Sequence, residues 1–182
     1  MPSVFRVSVF VSLVSLLYIL VVYSQPLIYT HSTTPMATFQ VVLRQGITGG
    51  IVGPVTEQVV EIRGDHNTAS ILHANLQPGS KTDYVTQTGN VSTQELQDAL
   101  LILRNQLAEL PLEEPTGSQD IYGQDVSIGF FSNDFQWQNG GPEGCNQGES
   151  SVQATPEQKE KFKALVKLVV GLGEQHALTA QA

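Results

Sequence analysis

The sequence is poor in cysteine and in basic side chains, and both shortages exclude classes of function. Its 182 residues include one cysteine, Cys145, which can form neither an intrachain disulfide nor a cysteine-rich zinc site. Nine Lys and Arg stand against 17 Asp and Glu, so no basic surface is expected to displace counterions from a nucleic acid. Charged residues make up 14% of the chain, against about 25% in an average soluble protein.

Catalytic and phosphate-binding motifs are missing as well. The glycine-rich run 46–53, GITGGIVG, has neither the Lys-Ser/Thr of a phosphate-binding loop nor the spacing of a dinucleotide loop. No HExxH sequence is present, and we predict surface or turn positions for the four histidines, His31, His66, His73 and His176. We therefore predict no catalytic residue, no metal and no cofactor.

Four acids form a loose group within residues 113–125. Its members are Glu113, Glu114, Asp120 and Asp125. Their spacing does not match the alternating oxygen ligands of a calcium-binding loop. We interpret the segment as a solvated acidic loop.

The first residues have the layout of a secretory signal. Arg6 is the only charge before an apolar run from Val7 to Tyr23, and Val22-Tyr23-Ser24 supplies the small residues of a cleavage site. Cleavage of this segment, 1–24, after Ser24 would make Gln25 the mature N-terminus of a secreted protein. An uncleaved membrane anchor is the alternative, because the apolar run is 17 residues long and a helix of ~20 residues spans a bilayer.

Alternating apolar residues predict strands. Five segments show the pattern: 39–44, 55–62, 70–74, 126–130 and 135–137. The last two are joined by a hairpin turn at Ser132-Asn133-Asp134. Links as short as this one favour antiparallel pairing of successive strands.

Two other segments have the period of an amphipathic helix. The first begins at a capping box, Ser92 to Glu95, and stops at Pro111. Its apolar face consists of Leu96, Leu100, Leu103, Leu107 and Leu110. The second begins at Thr155-Pro156 and is expected to end at Gly171 and Gly173. Its predicted buried stripe is Phe162, Leu165, Val166, Val169 and Leu172.

Strands and helices in this order indicate the α+β class. We predict an antiparallel sheet of about five strands with two helices packed on one face. A flexible tether rich in Pro, Ser and Thr covers 25–37. A single domain follows over 38–178, with a polar, glycine-rich loop at 139–154.

The glycine loop is the candidate for partner binding. Ile47, Ile51 and Val52 are apolar and lie around Gly49 and Gly50, and loops that expose such side chains often touch partners. We predict that these five residues bind a partner. The alternative is that the apolar side chains fold back on the core.

Two residues are candidates for covalent change. Asn90-Val91-Ser92 is a glycosylation sequon, which secretion would make usable. Secreted chains seldom leave a thiol exposed, so a disulfide-linked dimer through Cys145 is an alternative to an unpaired or capped thiol.

The order of elements from Thr38 to His176 resembles small bacterial domains typified by emfourin, which inhibit thermolysin-like metalloproteases. The similarity rests on the strand before Gly49-Gly50, the strand Val55–Ile62, the helix that ends in LAELPL, the strand DVSIGFF and the helix TPEQKEKFKALVKLV. The signal segment, the sequon and a longer insertion at 139–151 depart from the bacterial form. The resemblance implies an α+β domain that blocks a protease cleft without chemistry of its own.

We therefore expect a secreted, noncatalytic binding domain, with an extracellular metalloprotease as the partner that the resemblance implies. A structural component of the extracellular matrix is the alternative, since low charge and a loop rich in Gln, Gly and Ser suit it as well. A membrane is expected as a partner only if the N-terminal segment remains uncleaved.

Overall fold

The structure, a computed structural model, describes residues 38–50, 53–141 and 148–178. The predicted signal segment with its Ser24–Gln25 cleavage site, the tether, Ile51, Val52 and Cys145 lie outside these residues. Within the described part of the chain, neither helix combines the length and the hydropathy needed to cross a membrane.

A six-stranded antiparallel sheet is the centre of the domain, in the order β6-β5-β4-β1-β7-β8. Two further strands, β2 and β3, pair only with each other as a short hairpin. The strand bounds are Thr38–Gln45 (β1), Gly49–Gly50 (β2), Gly53–Pro54 (β3), Gln58–Asp65 (β4), Thr68–Leu76 (β5), Tyr84–Ser92 (β6), Val126–Ser132 (β7) and Gln136–Gln138 (β8).

The predicted α+β class and the antiparallel sheet are confirmed. The sheet also contains β6, a strand for which the sequence analysis has no counterpart. Of its nine residues only Val91 is buried, because β6 is an edge strand and therefore lacks the apolar alternation that reveals the inner strands.

One face of the sheet carries the apolar core. Val41 in β1 lies opposite Ile62 in β4 and Phe130 in β7, and Ile62 in turn lies opposite Ile71 in β5. All four are buried, because residues paired across strands project to the same side. Val42 of β1 is also apolar but points to the opposite face, where it is half-buried.

The two helices are α1 (Thr93–Leu107) and α2 (Pro156–His176), and both contribute to the core. Helix α2 contacts α1 and four strands of the sheet. The buried side chains are Leu96, Leu100, Leu103 and Leu107 in α1, and Phe162, Leu165, Val169 and Leu172 in α2. Val166, predicted in the stripe, is half-buried.

Only one of the two predicted helix caps has the expected hydrogen bonds. Thr155 and Gln158 form a complete capping box at the start of α2. Ser92 makes no cap hydrogen bond at the start of α1; its hydroxyl donates to Glu95 instead, at 3.0 Å. Ser92 is also the last residue of β6, where it pairs with Thr68, so the strand determines its position.

Helix α2 continues through Gly171 and Gly173 to His176, whereas the sequence predicts its end at the two glycines. Gly173 is buried, and a Cβ added there would lie 3.0 Å from Cγ1 of Val60 in β4. The glycine therefore serves close approach of the helix to the sheet and does not end the helix.

Candidate functional site

Three connecting segments converge beyond the ends of β1 and β7. They are 46–57, which contains the β2–β3 hairpin, 108–125 between α1 and β7, and the described residues after β8, 139–141 and 148–154. We name them the loop cluster. The backbone amide of Gly46 donates to the carbonyl of Asp125 at 2.9 Å, which joins the first two segments directly.

Glu113 joins the second segment to the third. Its side chain is only 3% exposed, and Oε1 accepts hydrogen bonds from the amides of Gly117, at 2.9 Å, and Gly140, at 2.6 Å. The other oxygen, Oε2, is buried without a hydrogen-bond partner among the described residues. The carboxylate is therefore a buried acceptor that holds two loops together.

A second contact between the same segments is neutral. Ser150 accepts a hydrogen bond at its Oγ from the amide of Glu114, at 2.9 Å, and donates its own amide to Oε1 of Gln119, at 3.0 Å. The amide of Ser151 donates to the carbonyl of Glu114, also at 2.9 Å. Residues on both sides of 142–147 are thus bound to the 108–125 loop.

Asp120 shapes the loop that leads into β7. Its Oδ1 accepts from the amides of Tyr122, at 3.1 Å, and Gly123, at 3.0 Å, while Oδ2 accepts from the amide of Asp125, at 2.7 Å. Asp125 itself has a φ of 55°, which is uncommon for a residue other than glycine. The two aspartates together turn the chain toward the β2–β3 hairpin.

Tyr122 is the buried centre of this loop, with 1% of its surface exposed. Its hydroxyl donates to the carbonyl of Pro111 at 2.5 Å, and its ring stacks on Phe162 of α2 with centroids 4.0 Å apart. Burial raises the pKa of the Tyr122 hydroxyl, and the nearby charges of Glu113 and Asp120 raise it further.

The base of the hairpin is fixed by one carboxylate. Oδ1 of Asp125 accepts from the amide of Thr48, at 2.6 Å, and from its hydroxyl, at 2.7 Å. Beyond Thr48, Gly49 pairs with Pro54 and Gly50 with Gly53. The base of the hairpin is thus held by a residue far away in the sequence.

The predicted binding residues have unequal positions. Ile47 is 3% exposed and lies beneath the hairpin, so its side chain offers almost no surface to a partner. Gly49 and Gly50 form β2 of the hairpin. Ile51 and Val52 lie outside the described residues, and so does Cys145. Asn90 is exposed on β6, away from the loop cluster.

The interpretation of the acids as a solvated loop is wrong for Glu113, and Asp120 and Asp125 are half-buried. Their carboxylates accept hydrogen bonds from backbone amides, which replaces the water that a solvated acid would have. Glycine at 117 and 123, where φ is positive, is the nearest sequence signal, but turns of many kinds share it.

His73 also differs from the expected surface or turn position. It is 4% exposed on β5, near Gly173 of α2, and its Nε2 lies 2.8 Å from Nε2 of Gln58 and 3.2 Å from Nδ2 of Asn75. Its Nδ1 is buried without a hydrogen-bond partner among the described residues. The ring is buried because β5 turns it toward Gly173 of α2.

The described residues contain no group of three or more His, Cys, Asp or Glu side chains placed to hold a metal ion. What the loop cluster offers is a short hairpin held at its base by Asp125, beside loops that the buried carboxylate of Glu113 joins. No family model, curated protein or solved structure matches the chain in comparisons with known proteins. The resemblance to emfourin therefore stays a prediction.

Proposed function

We propose that the chain is a secreted, noncatalytic binding domain that presents the 46–54 hairpin to a partner protein. The observation that carries the proposal is the double hydrogen bond from Thr48 to Asp125, at 2.6 and 2.7 Å, directly below the hairpin. A segment fixed before binding loses little conformational entropy when it binds.

Burial on the inner side of the hairpin supports the same role. Ile47 fills the space beside Gly140, where a Cβ would lie 2.8 Å from its Cδ1. Thr48 is exposed directly after it. The buried Ile47 and the hydrogen-bonded Thr48 together fix the base of the hairpin, which supports its role as a rigid presenting segment.

We propose a thermolysin-like metalloprotease as the partner, on the basis of the emfourin resemblance. Gly49 and Gly53 lie on the two paired strands of the hairpin and carry no side chains that would hinder close approach of the backbone to a partner. The charged groups around its base already accept backbone amides, and this supports an occluding role in place of a chemical one.

The test is an inhibition titration of a thermolysin-like metalloprotease with the purified chain 25–182, beside a serine protease as control. We expect selective, saturable inhibition that reaches completion near one molecule of inhibitor per enzyme. Absence of inhibition at high molar excess would contradict the metalloprotease as partner.

Gly49→Val tests whether the hairpin is the inhibiting segment. A Cβ at Gly49 would lie 2.2 Å from the backbone of Gly53 and Pro54, so the hairpin must rearrange. We expect loss of inhibition with the domain still folded. Gly171→Val is the matched control, because no described atom lies within 4 Å of a Cβ at that position. Equal inhibition by both variants would remove the hairpin from the proposal.

The alternative function, a structural component of the extracellular matrix, makes a different prediction in the same preparation. A matrix component partitions into the insoluble extracellular fraction, whereas an inhibitor remains soluble and monomeric. Fractionation of the expressing culture, followed by sedimentation of the soluble protein, therefore distinguishes the two.

A further inference from the structure

The sequon lies at a corner of the sheet remote from the hairpin. Asn90 pairs with Ser70 near the end of β6, whereas the loop cluster begins at the opposite end of β1. Asn90 is exposed, and its side chain lies on the face opposite the core, because the side chain of its neighbour Val91 is buried in the core.

A depression surrounds Asn90 on this corner. Its lining includes Ser92 and Glu95 at the start of α1 and Gln175 and His176 at the end of α2. The chain leaves α2 over Gly89, where a Cβ would lie only 1.9 Å from the carbonyl oxygen of His176. Glycine at position 89 is therefore required for this exit path.

Leu178 is the apolar element of the depression. It forms an antiparallel bridge with Thr88, so its side chain lies on the same sheet face as Thr88 and Asn90. It is 69% exposed, the most exposed of the large apolar side chains described. Its diagonal position places it about 7–8 Å from Asn90 across the strands.

We propose that Asn90 carries an N-linked glycan whose first sugar packs over Leu178 in this depression. An N-acetylhexosamine has an apolar ring face for Leu178 and hydroxyl groups for Glu95, Gln175 and His176. In the transfer, the Asn90 amide nitrogen bonds to the sugar C1 and releases one proton to solvent, while the bond between C1 and an oxygen of a lipid pyrophosphate carrier breaks and the lipid pyrophosphate leaves with the bonding electrons. The inference rests on secretion, which is part of the proposed function.

The first experiment is expression of the full chain in a eukaryotic secretory host, followed by digestion with peptide N-glycosidase. We expect the secreted protein to lose the mass of one glycan, and Asn90→Gln and Ser92→Ala to show no loss. Asn67→Gln, at an exposed asparagine outside any sequon, is the matched control and should lose the same mass as the parent chain.

The experiment distinguishes a failure of glycosylation from a failure of secretion. A secreted protein without a glycan overturns this inference alone. A chain found only inside the cell and without a glycan contradicts both the inference and secretion. Binding through the hairpin does not enter either result.

The second experiment tests the packing on Leu178 by thermal unfolding before and after deglycosylation. We expect the melting temperature of the parent chain to fall by about 2 °C on deglycosylation, and that of Leu178→Ser to fall less. Equal falls in the two proteins would overturn the proposed contact, and no fall in either would do the same.

Discussion

The turn between β4 and β5 and the loop cluster both use carboxylates that accept backbone amides, but over different ranges. In the turn, Oδ1 of Asp65 accepts from Asn67 at 2.7 Å and from Thr68 at 3.0 Å, all within four consecutive residues and exposed. In the loop cluster, Glu113 reaches Gly140, and it is buried.

The difference teaches what each carboxylate contributes. A local acceptor such as Asp65 closes a turn that the flanking strands already define. A distant acceptor such as Glu113 or Asp125 fixes one loop relative to another, and burial of its charge is costly unless every oxygen is paired. Among the described residues, Oε2 of Glu113 has no hydrogen-bond partner, so burial of this oxygen lowers the free energy of unfolding.

The largest expected effect is that of Glu113→Ala. The amides of Gly117 and Gly140 would lose their buried acceptor, and the free energy of unfolding should fall by about 2–4 kcal/mol. Urea denaturation measures it. Asp65→Ala is the matched comparison, because it also removes an acceptor of two amides but in an exposed turn. Losses of equal size would contradict the contrast between the two regions.

Gly173→Val tests the contact of α2 with the sheet. The added side chain would meet Val60 and His73, and the free energy of unfolding should fall by about 1–3 kcal/mol. Gly171→Val adds the same side chain where no described atom lies within 4 Å, and it should leave stability unchanged or slightly higher. Thermal unfolding of the two variants distinguishes the effect of the contact with Val60 and His73 from the effect of replacing a glycine within a helix.

Alkaline pH should lower the free energy of unfolding through Tyr122. Because the pKa of Tyr122 is raised in the folded state, its contribution is fully present below about pH 10, the pKa in an unfolded chain, and is lost as pH rises toward the folded pKa. Ionisation of this one group lowers the free energy of unfolding by at most about 1.4 kcal/mol per pH unit. In Tyr122→Phe the free energy of unfolding should fall less steeply with pH above about pH 10. An unchanged slope would show that another group causes the loss of stability.

Asp125→Gly should affect the hairpin more than the fold. Glycine keeps the positive φ of 55° but removes both hydrogen bonds to Thr48. We expect faster hydrogen exchange at the Thr48 amide and inhibition weaker by about tenfold, roughly 1.4 kcal/mol, with little change in melting temperature. A variant that inhibits as well as the parent would show that the hairpin base need not be fixed.

The smallest expected effect is an acid one in the β4–β5 turn. Hydrogen bonds from the amides of Thr68 and Asn67 lower the pKa of Asp65. Its contribution is therefore present above about pH 4 and is lost as pH falls through the lowered pKa of the folded state. The melting temperatures of Asp65→Asn and the parent chain should become equal at acid pH. A difference in melting temperature that does not change with pH would contradict the role of the Asp65 carboxylate.

The elements with strong periodicity could be predicted from the sequence. The leucine face of α1 and the Thr155 capping box of α2 are local patterns, and the structure has both. Edge strand β6 could not be predicted, because its nine residues bury little apolar surface and Gly89 serves a contact with the distant His176. Gly173 likewise interrupts a local pattern for a tertiary reason.

The candidate site was predictable only in part. The glycine loop is visible from composition, and the Gly49-Gly50 hairpin lies within it. Its support by Asp125 and the burial of Glu113 depend on residues that are far apart in the sequence, and a carboxylate in a loop gives no local sign of the amides it will accept. The burial of Ile47 has the same long-range origin, beside Gly140.

Hydrogen exchange of the chain with and without a thermolysin-like metalloprotease tests the central claim most directly, because it compares the two regions in one measurement. The account predicts slower exchange at the amides of Thr48, Gly49 and Gly50, with the β4–β5 turn at Asn67 and Thr68 unchanged. Protection confined to the β4–β5 turn, or no protection at the hairpin at saturating protease, would contradict it.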